Sequence, residues 1–397
     1  MGDIENAVLR TVSGIADVPA PAWDACARGR DQDPISSRPA NPFITHAFLS
    51  ALEESGSAAR ETGWLSRHLL LEDGQGQLVG CMPCYVKRHS HGEYVFDHGW
   101  ADAYDRAGGS YYPKLQAAIP FTPVTGRRLL VRPGSGCAER ETILLQAGVT
   151  LTEQLHLSSL HITFLTQGEW QRAGQFGLLQ RIDQQFHWRN EGYQSFEDFL
   201  GALSSRKRKA IRKERRDALA GGIEIEWVTG SDLTETHWDV FFAFYMDTGA
   251  RKWGTPYLNR TFFSLIGETM SDQILLVLAK RGGRAIAGAL NVIGSDTLYG
   301  RYWGAIEEHP MLHFEVCYYQ AIDYALAHKL ACVEAGAQGA HKLARGYLPV
   351  PTYSAHYIAD PGLRRAVADF LKRERFAVAQ ETALLTDESP FRHGDAD

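Results

Sequence analysis

Histidine, arginine, tyrosine and glutamate mix most densely with glycine between Tyr299 and Tyr357. The stretch opens on Tyr299-Gly300-Arg301-Tyr302-Trp303-Gly304 and continues through His313, Phe314, Glu315, Cys317, Tyr318 and Tyr319. An apolar run near Cys332 to Ala335 then leads into Gly336-Ala337-Gln338-Gly339-Ala340-His341-Lys342, Arg345-Gly346-Tyr347 and Thr352-Tyr353-Ser354-Ala355-His356. A carboxylate or imidazole can take up a proton, a phenol or thiol can return one, and a guanidinium grips a carboxylate or phosphate bidentately. His313 and Glu315, two apart on one helix, point in different directions, whereas Tyr319 lies four beyond Glu315 on the same face. Strand ends that meet glycine-bearing loops are common places for α/β proteins to bind and react. Residue by residue, an aromatic core with polar turns explains the stretch equally well; the cluster as a whole reads as a site.

The frame around this cluster is legible in the hydrophobic and turn patterns. Val277 to Gly288 forms a hairpin across Arg281-Gly282-Gly283-Arg284, and Leu69 to Gly80 matches it position for position across Asp73-Gly74-Gln75-Gly76. Each hairpin is followed by an aromatic strand, a loop, a helix and a further strand, which reads as an internal duplication of one α/β unit. In the first half, strands are expected over residues 6–13, 77–86, 95–100, 128–131, 161–165 and 178–188. Helices are expected from Thr45 to Glu54 and over 138–156, with a loop over 27–42. The second half adds a strand at 223–228 and helices at 232–252 and 259–270. The expected division is an N-terminal domain over 1–190, a basic helical connector over 191–222 and a C-terminal domain over 223–397 that carries the site.

At 397 residues the chain exceeds one ordinary core. Its 44% apolar and 22% charged content is that of a globular protein, and a net charge of −6 gives no global attraction to nucleic acid or anionic membrane. The six cysteines fit no disulfide scaffold, and Cys81-Met-Pro-Cys84 lies inside an apolar run that reads as a buried strand. The first residues show no secretory leader, and no run reaches the roughly 18 apolar residues of a membrane span, so a cytoplasmic location is expected. No metal site is expected: His309 and His313 are separated by Pro310, and HExxH is absent. His161, alone on an apolar strand, reads as a core residue.

One charge feature stands out. Arg206, Lys207, Arg208, Lys209, Arg212, Lys213, Arg215 and Arg216 fall within eleven residues, opposed only by Glu214. Ser195 caps the helix before this run and Gly221-Gly222 ends it. Such a run is either a solvated helix face or a local site for polyphosphate or RNA backbone.

Gln185-Phe186-His187-Trp188, Ser205-Arg206-Lys207-Arg208-Lys209, Arg301-Tyr302-Trp303-Gly304, His313-Phe314-Glu315 and Gly339-Ala340-His341-Lys342-Leu343-Ala344-Arg345-Gly346-Tyr347 occur in this order. Together they resemble the FemAB-like family of N-acyltransferases, a branch of the GNAT superfamily, from about Asn41 to about Leu371. The resemblance implies an α/β fold of two tandem GNAT-like domains with mixed, mostly antiparallel sheets flanked by helices. It also implies transfer of an acyl or aminoacyl group to an amine of a small-molecule or peptide-like acceptor by direct attack. Fem relatives take an amino acid from aminoacyl-tRNA and add it to a peptidoglycan precursor, and GNAT enzymes use acyl-CoA; both donors stay open. A binding module for a cell-wall fragment or RNA is the alternative in a different class. In the first half Arg132-Pro133-Gly134-Ser135-Gly136-Cys137-Ala138 approaches the GNAT pyrophosphate loop with its glycines one residue out of step. The matching Glu307-Glu308-His309-Pro310-Met311-Leu312 has two acids and no glycine.

For this chemistry Glu315 is the leading base and His341 its rival, with His313 on the same helix. Tyr302, Tyr319 or Tyr347 is a candidate acid. Arg345 suits a substrate carboxylate or phosphate, and Lys342 reads as solvated. Trp303, His356, His187 and Trp188 are candidate pocket residues, as are Asp97 and Tyr104 for a second pocket. Arg206, Lys207, Arg208, Lys209 and Arg212 are the candidate contacts to donor phosphate or RNA.

Overall fold

The structure is a computed structural model that describes residues 7–28, 38–252, 256–336 and 339–392. Residues 1–6, most of the expected 27–42 loop and the pair 337–338 of the glycine-bearing loop lie outside the described residues. The chain divides into two compact units, Met1–Asp183 with Pro351–Ala379 and Gln184–Val350 with Gln380–Asp397. Residues 351–379 thus pack with the first unit, and the stretch expected as a connector packs within the second. Each unit is a mixed, mostly antiparallel arrangement of strands flanked by helices.

In the first unit, His68–Glu72 and Leu78–Met82 form the hairpin, joined by a turn in which the Asp73 carboxylate accepts from the Gln75 and Gln77 amides. Val8–Val12 and Leu130–Val131 pair on its two edges. Pro83 cannot donate to a ladder and interrupts the expected 77–86 strand. The chain resumes as Cys84–Lys87 in a second sheet, between Trp64–Ser66 and Lys114–Ala117. Lys114–Ala117 runs parallel to Ser159–Leu165, with the helix Cys137–Gln154 in the crossover. Residues 353–358 of the strand Leu348–Ile358 pair antiparallel to it.

The strand expected over 95–100 is instead the start of a helix, His98–Arg106, which buries Trp100 and Ala101. Its cause lies in a buried polar network: Lys114 donates to Asp97, Glu93 and Ser90 and so draws Asp97 out of an extended path. Lys114–Ala117 escaped the sequence pattern for the same reason, because its polar Lys114 and Gln116 are fully buried. The Tyr111 hydroxyl donates to Asp97 at 2.7 Å, and His161 and His356 join through their Nδ1 atoms at 2.8 Å.

In the second unit Ile274–Arg281 and Arg284–Ile293 form the matching hairpin. Its turn residues Gly282 and Gly283 both have positive φ (57° and 79°), which glycine adopts without strain. The pairing irregularity falls at Ala279/Lys280 here and at the aligned Leu71/Glu72 in the first hairpin. Ile223–Thr229 flanks one side, and Thr297–Ala305 the other. Cys332–Glu334 lies parallel to residues 297–299 and antiparallel to residues 187–189. Helices Glu235–Lys252 and Arg260–Met270 and a helical segment from Leu312 to Ala327 complete the unit.

Two features of this frame predict measurable stability effects. A Cβ on Gly304 would lie 2.1 Å from the Phe244 carbonyl oxygen of the helix 235–252, a backbone atom that cannot swing away. Gly304→Ala is therefore expected to cost about 1–3 kcal/mol, read as a lower denaturant midpoint. The second concerns pH. Burial pushes the His161 imidazole down to about 3 and that of His356 well below its usual value, while burial lifts the Glu93 carboxyl to about 7. Below about pH 6.5 the unfolded chain protonates both histidines and the folded unit does not, so acid favours unfolding. Glu93 acts in the opposite sense but is one group against two. Stability should fall by on the order of 1 kcal/mol per pH unit between about pH 6 and 4. His161→Gln should flatten that slope, and urea midpoints that hold constant or rise on acidification would refute the account.

Candidate functional site

In the second unit the strand Thr297–Ala305 is held along its length by Arg284–Ile293, but it shares only residues 297–299 with Cys332–Glu334. Beyond Tyr299 its other edge is free of that partner. A register irregularity at Leu290/Asn291 leaves Arg301 as the extra residue between the Tyr302 and Gly300 pairings. A cavity of about 100 Å³ occupies this region, lined by Asn291, Gly300–Trp303, His313, Cys317, Tyr318 and neighbouring alanines. Trp303 and His313 also line a larger cavity of about 670 Å³ with Glu307, Glu308, His309 and Thr248.

The helix facing the strand is not regular. Residues Leu312–Phe314 begin it, Glu315–Tyr319 form a π-turn, and Gln320–Ala327 resume the α-helix. A π-turn inserts one residue and shifts every later side chain around the axis, and such turns recur at functional sites. Here the shift brings Tyr318 towards two histidines: its hydroxyl lies 3.0 Å from His341 Nε2 and 3.5 Å from His313 Nε2. His313 Nδ1 lies 3.4 Å from Cys317 Sγ, and its ring packs edge-on to Trp303. His341 is exposed, so the row runs from a half-buried thiol to solvent. Burial, with Cys317 nearby, pushes the Tyr318 phenol well up and keeps it a neutral donor.

The π-turn is braced by one helix, Ser205–Ala218. Arg215 donates to Glu315 through Nε at 3.1 Å and Nη2 at 2.8 Å, and to Asp323 at 2.6 Å. Gln320 donates to Glu315 at 2.7 Å. The neighbouring Glu214 accepts from the Tyr319 hydroxyl and from Arg345 at 3.1 and 2.8 Å. Arg345 also donates to the His341 carbonyl at 2.7 Å and stacks over Phe314 at 3.4 Å. Lys342, expected in solvent, is buried and donates to the Ala335 and Gly336 carbonyls at 2.7 and 3.0 Å; burial, with Arg301 nearby, lowers its pKa to about 8.

These contacts sort the expected residues. His313, His341, Tyr302 and Trp303 gather at or beside the small cavity. Glu315, the expected base, is completely buried with both oxygens engaged, so it serves as an anchor of the π-turn and not as a base open to substrate. Tyr319 and Arg345 are likewise spent on Glu214. Tyr347 is buried and donates to the Tyr318 carbonyl at 3.0 Å. His187 sits 3.3 Å from Gln185 Oε1, and Trp188 is core, packed edge-on against Phe199. His356, Asp97 and Tyr104 belong to the first unit, where His356 pairs with His161.

Along the basic helix Arg206 and Lys209 are exposed and Lys207 and Arg208 half-buried, none with an ion pair among the described residues; Arg212 pairs with Glu197 at 2.5 Å. Sequence reasoning placed Tyr318 in the dense stretch without a role of its own and missed Glu214 and Asn291 as site residues. A π-turn leaves no mark in periodicity, and an acid inside a basic run reads as a spacer. In the first unit, Arg132–Ser135 and Arg140 line a cavity of about 520 Å³ beside the start of the helix Cys137–Gln154. Among the described residues no cluster suits a metal ion and no helix is long and apolar enough to cross a membrane.

The FemAB-like family model, described as peptidoglycan biosynthesis/recognition, matches residues 14–393. Among solved structures the chain is similar to FemX, with 12% identity, a TM-score of 0.54 and coverage of 88% of this chain and 98% of that one. It is similar also to L-PGS from Bacillus licheniformis (9% identity, TM-score 0.49, covering 85% and 99%). A tandem GNAT protein from the clavulanic acid biosynthesis pathway is a third such structure (15%, 0.45, covering 89% and 99%). No curated protein matches the sequence.

The bracing makes a stability prediction. Arg215→Ala leaves the Glu315 carboxylate buried without its cation and should cost about 3–5 kcal/mol. Lys209→Ala, on the outer face of the same helix, should stay within about 0.5 kcal/mol. Urea unfolding of the two variants separates them, and equal midpoints would show the brace to be dispensable.

Proposed function

The chain belongs to the FemAB-like family and is an acyl- or aminoacyltransferase, and on that premise we propose that it moves an aminoacyl group from the 3′ ester of a tRNA to an amine of a peptidoglycan-type precursor. The observation that carries this reading is the two-faced basic helix. Its outward cations Arg206, Lys209 and Lys213 are exposed and have no ion pair among the described residues, while Glu214 and Arg215 on the inner side grip the walls of the cavity. A phosphate backbone on the outer face would thus lie on the same rigid element that shapes the reacting site. The cavity loop adds a second argument: Glu307-Glu308-His309-Pro310-Met311-Leu312 carries no glycine to bring backbone amides up to the pyrophosphate of CoA, which GNAT enzymes hold on such amides at a helix start.

In this reading the carbonyl to be transferred enters the small cavity and the acceptor amine approaches from the larger, acid-lined one. His313 borders both. The imidazoles of His313 and His341, joined through the Tyr318 hydroxyl, take the proton released by the amine and return one to the departing ribose oxygen. Acyl-CoA remains the second reading, supported by the glycine-bearing loop at residues 132–136 beside the 520 Å³ cavity of the first unit.

The test is binding and transfer with charged tRNA beside CoA thioesters. Reversing Arg206, Lys207 and Lys209 to glutamate should weaken tRNA binding and lower the slope of log K against log salt by roughly 2–3. His341→Ala should slow transfer by about 10²–10⁴-fold while leaving tRNA affinity in place. Binding of acetyl-CoA with no response to tRNA would replace this reading with the second. Binding without any transfer would make the protein a recognition module.

A further inference from the structure

We infer that Asn291 determines which group is transferred: its side-chain oxygen accepts an N–H from an amino group on the carbon next to the carbonyl being passed on. The inference rests on the transferase reading above and deepens it, since it separates an aminoacyl group from a plain acyl group at the same cavity. Asn291 is 1% exposed and lines the small cavity, and its Oδ1 has no hydrogen-bond partner among the described residues. A buried amide oxygen left unsatisfied is costly, so a ligand that brings a donor to it gains more than an exposed contact would give.

The orientation of the amide follows from its other end. Nδ2 faces the Leu275 and Ala289 carbonyl oxygens at 3.4 and 3.5 Å. Turning the amide over would set its oxygen against those two acceptors, so the oxygen is the atom left for the cavity. Ala289, on the same face of the strand, lines the cavity as well, and its small side chain leaves room beside the amide.

Space at the oxygen is kept by Gly300, the pairing partner of Asn291 at the register irregularity. Gly300 has no positive φ, so its backbone does not itself demand glycine. A Cβ there would lie 3.4 Å from Asn291 Oδ1, in contact with the acceptor. The first unit offers an internal contrast. Gly288 aligns with Gly80, which sets Asn291 opposite Pro83, a residue with no side-chain acceptor.

An amino group donates in its neutral and in its protonated form, so the contact requires no carboxylate. An aminoacyl group carries such a donor on the carbon next to its carbonyl. A plain acyl group such as propionyl carries none there and would leave Oδ1 buried and unpaired.

Binding of paired probes tests this on the full chain. Alanine and propionate differ by one amino group. Each is attached through an amide bond to the 3′ end of the same tRNA, which prevents transfer, and each is also prepared as its CoA thioester. The alanyl member of a pair should bind at least about tenfold more tightly than the propionyl member. Asn291→Leu should bring the two within about twofold. Gly300→Ala, which leaves the amide in place, should lower the preference too and stands in for Asn291→Leu should that variant not fold. Equal affinities within a pair that binds, or a full preference kept by either variant, would overturn the assignment even with tRNA as the donor. A preference within the CoA pair and no binding of tRNA would overturn the donor reading and leave Asn291 as the amino-group contact. No binding by either pair would overturn both.

Discussion

Everything at the candidate site depends on two adjacent residues of one helix. Glu214 and Arg215 sit about 100° apart on its circumference and therefore reach two different partners, Arg345 with Tyr319 on one side and Glu315 with Asp323 on the other. Glu315 is wholly buried, so its ion pair is far more than a surface contact, and removing the cation would strand a charge in a desolvated place. Glu315 opens the π-turn and Asp323 lies on the helix that follows it, so Arg215 ties both sides of the turn to one helix.

The same arrangement resolves a contradiction in the composition. A net charge of −6 argues against nucleic acid as a partner, yet the helix 205–218 concentrates cations on its outer face. Whole-chain charge governs long-range attraction, whereas a local phosphate site needs only a patch that its own acids do not neutralise. Glu214, the acid within the run, is turned inward and spent on Arg345, and although Arg212 pairs with Glu197, the exposed Arg206 and Lys209 have no ion pair among the described residues.

Much of the fold was legible because hairpins and glycine turns are local. Gly282-Gly283 announces a hairpin by itself, and its match with the 69–80 stretch exposes the repeat. The helix at His98–Arg106 and the strand at Lys114–Ala117 were not legible, since both are decided by a buried Lys114–Glu93–Asp97 network whose members are distant in sequence. Within the site, His313, His341 and Trp303 stood out by type and density. The engagement of Glu315, Tyr319 and Arg345 did not, because their partners lie about 100 residues or more away in sequence, on a helix that reads as a simple basic run.

The two hairpins also show how a repeated unit can be given separate tasks. Both carry their irregularity at the same aligned position, so the frame is shared. The loops downstream of them differ in chemistry: Arg132–Ser135 borders one cavity with cations and glycine, and Glu307–His309 borders the other with acids and an imidazole. In the second loop Glu307 is already paired with Arg281 and lies 2.9 Å from His309, so its acids are in part neutralised within the protein, whereas Arg132 and Arg140 border the first cavity with Asp73 beside them. The repeat thus keeps one frame and changes the charge that its loops present.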